Sequence, residues 1–249
     1  MVKYATILQS QGFSVTKSEF MYAINIRYFR ELRGLPTTCA CGNKFNITHA
    51  LNCKIGGFIH QRHDALRDLI AELLSRVQKD VETEPALQPV QGEETESSNV
   101  ADGARVDIRA RGFWRQGQNS FYDVRVFNPM SATSMKSSLE ACFRNQEREK
   151  KRAYNQRIME VDGGTFTPLV FSVFGTPGKE SSNFLKSLSN KLSTKMIDRM
   201  DSVTCWLRCK ISFMCIKYCG VCLRGSRMLR KKEYISNDFS FDAQDANIS

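Results

Sequence analysis

Two short segments with strand-like alternation, residues 105–111 and 120–127, flank a glycine-bearing stretch that runs from Gly112 to Gly117. A connection of that kind folds two strands into a hairpin, which commits the middle of the chain to a sheet. Each arm carries an aspartate: Asp107 in Arg105-Val106-Asp107-Ile108, and Asp123 in Phe121-Tyr122-Asp123-Val124-Arg125-Val126. Two carboxylates from alternating polar positions of paired strands can converge on one divalent cation such as Mg²⁺.

The hydrophobic periodicity around this hairpin supplies the rest of the fold. Phe20, Ala23, Ile24, Tyr28 and Leu32 predict a helix over 17–33, stopped by Leu35-Pro36. After Gly56-Gly57, the stripe Leu66, Leu69, Ile70, Leu73, Leu74 and Val77 predicts a second helix. Residues 81–87 read as a strand and 88–103, polar and acidic, as a flexible loop. Asn128-Pro129 closes the hairpin; a long helix over 134–159, a strand over 165–174 and an amphipathic helix over 181–196 follow. From the second helix onward, the order is α-β-β-β-α-β-α. The tail after Asn237 reads as disordered, and there is no internal repeat.

Composition bounds the function classes. With 249 residues and 41% hydrophobic content, the chain can bury a core. Its formal charge of +10 favours a polyanionic partner, because each phosphate neutralised by Lys or Arg releases counterions. The apolar segment 203–223 is interrupted by Arg208, Lys210 and Lys217, each costly at a bilayer centre, so it reads as a packed helix and no membrane is expected. The first twenty residues lack a charged start followed by an apolar core, so no secretory signal is expected. Nine unevenly spaced cysteines then fit a reducing compartment, cytosol or nucleus, where thiols are metal ligands or small core residues.

Four of these residues form the spacing Cys39-x-Cys41-x7-His49-x3-Cys53, which offers the four ligands of tetrahedral zinc within one short span. The C-x-C start is tighter than the usual two-residue gap, so His60 or His63 can substitute for one ligand. Cys205, Cys209, Cys215, Cys219 and Cys222 form a second group, but their helical i,i+4 spacings fit core packing better than a metal site.

Two polar groups sit on apolar helix faces. His63 shares the stripe of Leu66, Ile70 and Leu74, with Arg62 at its edge, and a titratable group there needs a partner or a polar pocket. On the long helix, Leu139, Cys142, Phe143 and Ala153 define the inner face, and Lys150 and Tyr154 lie within it, whereas Lys151 turns away. Lys150 placed over the sheet could stabilise a pentavalent phosphate or polarise a water; a lysine snorkelling at the core edge satisfies the same pattern.

The order of these pieces resembles the carboxy-terminal region of non-LTR retrotransposon proteins: Cys/His knuckle, Arg62-His63-Asp64 at a helix start, Glu84-Pro85, Arg105-Val106-Asp107, Asp123-Val124-Arg125-Val126 and the Lys150/Tyr154 helix. In those proteins, a zinc knuckle precedes a restriction-like endonuclease of the PD-(D/E)xK fold. The resemblance covers residues 35–154 and, more loosely, the chain up to Arg227. It implies an α/β restriction-endonuclease-like core, a mixed central sheet flanked by helices, preceded by a short helix and a small zinc knuckle and followed by C-terminal helices. It divides the chain into an N-terminal helical segment (1–37), the knuckle (38–56), the nuclease core (57–196), a basic helical segment (197–236) and a disordered tail (237–249). Asp107 and Asp123 would be ligands for Mg²⁺ or Mn²⁺, Arg62 and His63 the Arg-His pair, Glu84 a supporting carboxylate, and Lys150 and Tyr154 the helix-borne pair. Here Asp64 replaces the family's Asn, Arg105-Val106 replaces Lys-Pro, and Arg125 stands where restriction enzymes commonly place a catalytic lysine.

The implied activity is Mg²⁺-dependent nicking of DNA in the nucleus after synthesis in the cytoplasm, with element RNA as a second candidate partner. No Tyr-x-Asp-Asp polymerase signature is present. Two alternatives remain open: a nucleic-acid-binding remnant with a vestigial site, and a cellular repair or junction-resolving nuclease of the same fold.

Overall fold

The computed structural model describes residues 13–28, 30, 32, 34–87, 105–196 and 199–225. The 88–103 loop and the tail after Asn237 lie outside the described residues. Among the described residues ten elements follow one another: α1 (Lys17–Arg27), α2 (Ile47–Ala50), α3 (Phe58–Ser75), β1 (Lys79–Thr83), β2 (Ile108–Arg111), β3 (Asn119–Phe127), α4 (Leu139–Glu160), β4 (Thr165–Ser172), α5 (Lys179–Met196) and α6 (Met200–Arg224), with a 3-10 turn at Ser134–Lys136 before α4. The order α-β-β-β-α-β-α is present from α3 to α5.

The chain is mixed α/β, with one four-stranded sheet ordered β1-β2-β3-β4. β1 with β2 and β2 with β3 are antiparallel; β3 and β4 are parallel, with Val124 opposite Leu169, because α4 crosses between them. Pro168 is tolerated in β4 because that strand lies at the sheet edge. Gly112, at φ 83°, takes the left-handed conformation that opens the β2–β3 connection.

Local chemistry moves several boundaries. Thr16 and Glu19 form a capping box at the start of α1. The helix expected over 134–159 breaks into the 3-10 turn and α4, since the Ser138 hydroxyl accepts the Ala141 N–H at 3.2 Å and restarts the helix at Leu139. The strand expected over 81–87 begins earlier and stops at Thr83, where Glu84 takes φ 53° and breaks the extended run.

Alternation in the strands separates two apolar layers. Ile108, Ala110, Tyr122, Val124, Leu169 and Phe171 face α3, α5 and α6 in the main core, where the α3 stripe of Leu66, Ile70, Leu73 and Leu74 is fully buried. Val203, Leu207, Ile211, Met214 and Cys215 of α6 join the same cluster. On the other face, Phe121, Phe127, Phe166 and Val170 pack against Cys142, Phe143 and Ile158 of α4. A third cluster ties Cys39, Phe45, Leu51 and Cys53 to Ile26 of α1, Val173 and the Cys219–Leu223 end of α6. Among the described residues, no helix is long and apolar enough to cross a membrane.

Candidate functional site

The Cys/His segment folds as a tight turn followed by α2. Cys39 N–H donates to Asn43 O at 2.9 Å and Gly42 N–H to Cys39 O at 2.8 Å, which brings Cys39 and Cys41 onto one side despite their single-residue gap. Asn46 caps α2 by accepting the His49 N–H at 2.8 Å. Cys39, Cys41, His49 and Cys53 then place their ligand atoms within 4.8 Å of one another. Cys39 Sγ lies 3.8 Å from Cys53 Sγ, and Cys41 Sγ 3.3 Å from His49 Nε2. A tetrahedron with zinc–sulfur bonds of about 2.3 Å has sulfur–sulfur edges of about 3.8 Å. The four side chains can therefore hold a zinc-like ion with little movement. The donors of Asn43, backbone first and then side-chain amide, pull the Cys41 thiol down to about 6, whereas burial raises Cys39. Neither alternative histidine is in this cluster: His60 is exposed, and His63 lies elsewhere.

The second assembly forms where β2 and β3 separate. Their ladder ends at Ile108 opposite Tyr122, so the next opposed pair would be Asp107 and Asp123. Instead of pairing through its backbone there, Asp107 turns its carboxylate into the gap, and Oδ2 accepts the Val124 N–H at 2.5 Å. His63 of α3 reaches the same place: Nε2 is 3.2 Å from Asp107 Oδ2 and 3.0 Å from Val124 O, and Nδ1 is 3.3 Å from Asp64 Oδ1. Burial opposes the imidazolium, but Asp107, Asp64 and the Val124 carbonyl together raise the His63 pKa to about 9.

Asp123 is 4% exposed and points towards α4, where Lys150 Nζ lies 2.7 Å from its Oδ2. Burial pushes this carboxyl up, the charge of Asp107 pushes it further, and Lys150 and His63 oppose both; the result is a pKa of about 6. The two carboxylates lie close enough to disfavour each other's charge, and the His63 imidazolium and Lys150 ammonium flank them as counter-cations. Tyr154 sits one turn beyond Lys150, with the ammonium 5.7 Å from its ring centroid and Phe166 5.5 Å away on its other contact. Burial first, then Asp123, raises the Tyr154 phenol.

The remaining residues singled out from sequence are placed differently. Arg62 does not face Asp107: it is 3% exposed, and its Nη2 donates to Leu51 O at 3.3 Å, towards the knuckle and α6. Consecutive helical residues diverge by about 100°, so the direction that carries His63 into the pocket carries Arg62 out of it. Glu84 meets Asp107 through its backbone, N–H to O at 2.9 Å, while its exposed carboxylate pairs with Arg67. Arg125 pairs with Glu149 at 3.1 Å, which leaves Lys150 as the cation in contact with Asp123. Lys151 pairs with Glu180 at 2.5 Å. In the second cysteine group, Cys215, Cys219 and Cys222 are buried as core residues, but Cys205 is exposed.

Sequence reasoning passed over Arg67 and Asn43, and read Asp64 only as a departure from the family's Asn. Arg67 lies four residues after His63 on the same helix face, a spacing that could have identified it, and it pairs with Asp64, Asp68 and Glu84 along the pocket rim. Comparison with protein-family models gives no match for this chain, and comparison with curated protein sequences gives none either.

Proposed function

We propose that the chain is a Mg²⁺- or Mn²⁺-dependent DNA endonuclease with a restriction-endonuclease-like core, derived from a non-LTR retrotransposon, which nicks target DNA in the nucleus and has element RNA as a second partner. The observation that carries this reading is the meeting of Asp107 and Asp123 at the β2–β3 fork with Lys150 from α4 and His63 from α3. Asp107 and Asp123 would hold the cation, which would supply Lewis-acid activation of water and of the scissile phosphate. Lys150, which pairs with Asp123, would donate to the phosphate oxygen on which charge builds as water attacks phosphorus and the leaving oxygen departs. The His63 imidazolium fixes the Asp107 carboxylate, and the Tyr154 ring limits where the Lys150 ammonium can sit. The zinc-like centre is structural in this reading, since its four ligands leave no open position.

Nicking of supercoiled plasmid by purified protein with Mg²⁺ or Mn²⁺ tests the reading. Asp107→Ala and Asp123→Ala should each abolish it; retention in either variant rejects the assignment. One observation favours a second reading, a nucleic-acid-binding remnant: Asp107 Oδ2 already receives both Val124 N–H and His63. Metal-independent DNA binding with no nicking at any Mg²⁺ or Mn²⁺ concentration would select it.

A further inference from the structure

Among the described residues, α4 is the one helix packed on its face of the sheet, and the side of it turned away from the sheet is exposed. Its outer ridge, at intervals of four residues, runs Glu140, Arg144, Arg148, Arg152, Gln156 and Glu160. The three central positions are exposed arginines, and among the described residues none makes an ion pair. The acids of the helix do not answer them. Glu147 is buried and accepts the Glu180 N–H at 3.0 Å, Glu149 is taken by Arg125 at 3.1 Å, Glu160 accepts from Gln156 at 3.2 Å, and Glu140 lies in line with the ridge but makes no ion pair with Arg144.

Like charges four apart repel across a helix surface, so an unanswered row of three destabilises α4 unless an external anion neutralises it. Arginine rather than lysine at all three positions suits bidentate contact with phosphate. The row spans about 12 Å, from the 1.5 Å rise per residue. Lys150 projects about 160° away from Arg148 at 100° per residue, so the row lies on the opposite side of α4 from the carboxylate pocket. The exposed ridge carries no aromatic residue, whereas strand binders that take unpaired nucleic acid use aromatic platforms on which bases stack.

From these observations we infer that Arg144, Arg148 and Arg152 form a phosphate-tracking surface for duplex DNA, separate from the pocket between α4 and the sheet. The inference does not require the pocket to cut: it concerns binding, and an inert pocket would leave it intact.

The test is the salt dependence of duplex binding by the full zinc-loaded chain, measured by fluorescence anisotropy in EDTA-free buffer without Mg²⁺. Three phosphate contacts contribute about −2.7 to the slope of log K against log salt on B-DNA, so the triple variant R144Q/R148Q/R152Q should lose that much slope. At 0.1 M salt this corresponds to roughly a 500-fold weaker affinity if the contacts are wholly electrostatic. The triple lysine variant should keep the slope, and R148Q alone should lose about 0.9 of it, which keeps the test available should the triple variant fold poorly. Wild-type slope and affinity in a folded R144Q/R148Q/R152Q protein overturns the inference. A loss confined to single-stranded DNA or to RNA overturns duplex DNA as the occupant. Plasmid nicking measured alongside separates the two proposals, since loss of binding slope and loss of catalysis would fall on different residues.

Discussion

Replacing Asp123 by Asn should stabilise the protein while removing nicking. The Asp123 carboxyl is almost fully buried and titrates near 6 instead of the ordinary 3.8. That rise makes the ionised side chain unfavourable in the folded state by about 3 kcal/mol at neutral pH, at 1.36 kcal/mol per pH unit. Asn mimics the protonated acid, so D123N should unfold about 3 kcal/mol later at pH 7. A carboxyl raised on folding contributes stability that is present below its unfolded value and lost as pH rises through its folded value. The advantage of D123N should accordingly shrink to below about 1 kcal/mol at pH 4, where wild-type Asp123 is protonated in the folded protein. Urea unfolding followed by circular dichroism between pH 4 and pH 7.5 measures the gap directly, and Mg²⁺ should narrow it by stabilising only the wild type. A wild type more stable than D123N at pH 7, or a gap that does not close with acid, would refute the reasoning.

Lys150→Ala should lower the nicking rate by about 10²–10³-fold, whereas Arg125→Ala, whose side chain faces Glu149, should change it by less than about tenfold; single-turnover kinetics distinguish them. Cys53→Ala should abolish stoichiometric zinc in elemental analysis and lower the melting temperature by roughly 10 °C, since the site packs into an apolar cluster shared with α1 and α6. His63→Ala should keep its zinc and lose nicking, because its ring contacts Asp107 and not the cysteines. Arg62→Met should retain nicking and change unfolding stability by less than about 1 kcal/mol in the destabilising direction: Arg62 Nε and Nη1 are buried with no hydrogen-bond partner, so an apolar side chain of similar length removes a desolvated charge.

Much of this architecture is written in local patterns. The α3 stripe and the alternation of residues 119–127 reveal their elements because a single period repeats over several turns or pleats. The Cys39–Cys53 spacing was readable for the same reason, as all four ligands sit in one short stretch. What sequence concealed depends on direction and distance. Whether Arg62 or His63 enters the pocket is decided by how α3 rolls against the sheet, and that follows from the whole core rather than from the helix. The partnership of α6 with both cores was equally hidden: its cysteines and apolar residues surround the helix without a dominant stripe, so no one face announces a neighbour. Glu84 is a third kind of miss, since a left-handed backbone at a non-glycine residue follows from tertiary context and has no signature in composition.

The cluster beneath the knuckle joins Cys39, Leu51 and Cys53 to Cys219, Cys222 and Leu223, residues from opposite ends of the described chain. A ribosome delivers Cys39, Cys41, His49 and Cys53 long before it delivers their apolar support, so this segment must wait as a local loop while the sheet and its helices are made. Contacts of such separation are late and slow to form, and they couple the two ends of the molecule in a single closing step. A chain interrupted anywhere between Cys53 and α6 would carry Cys39, Cys41, His49 and Cys53 and yet leave them without the surface on which they rest.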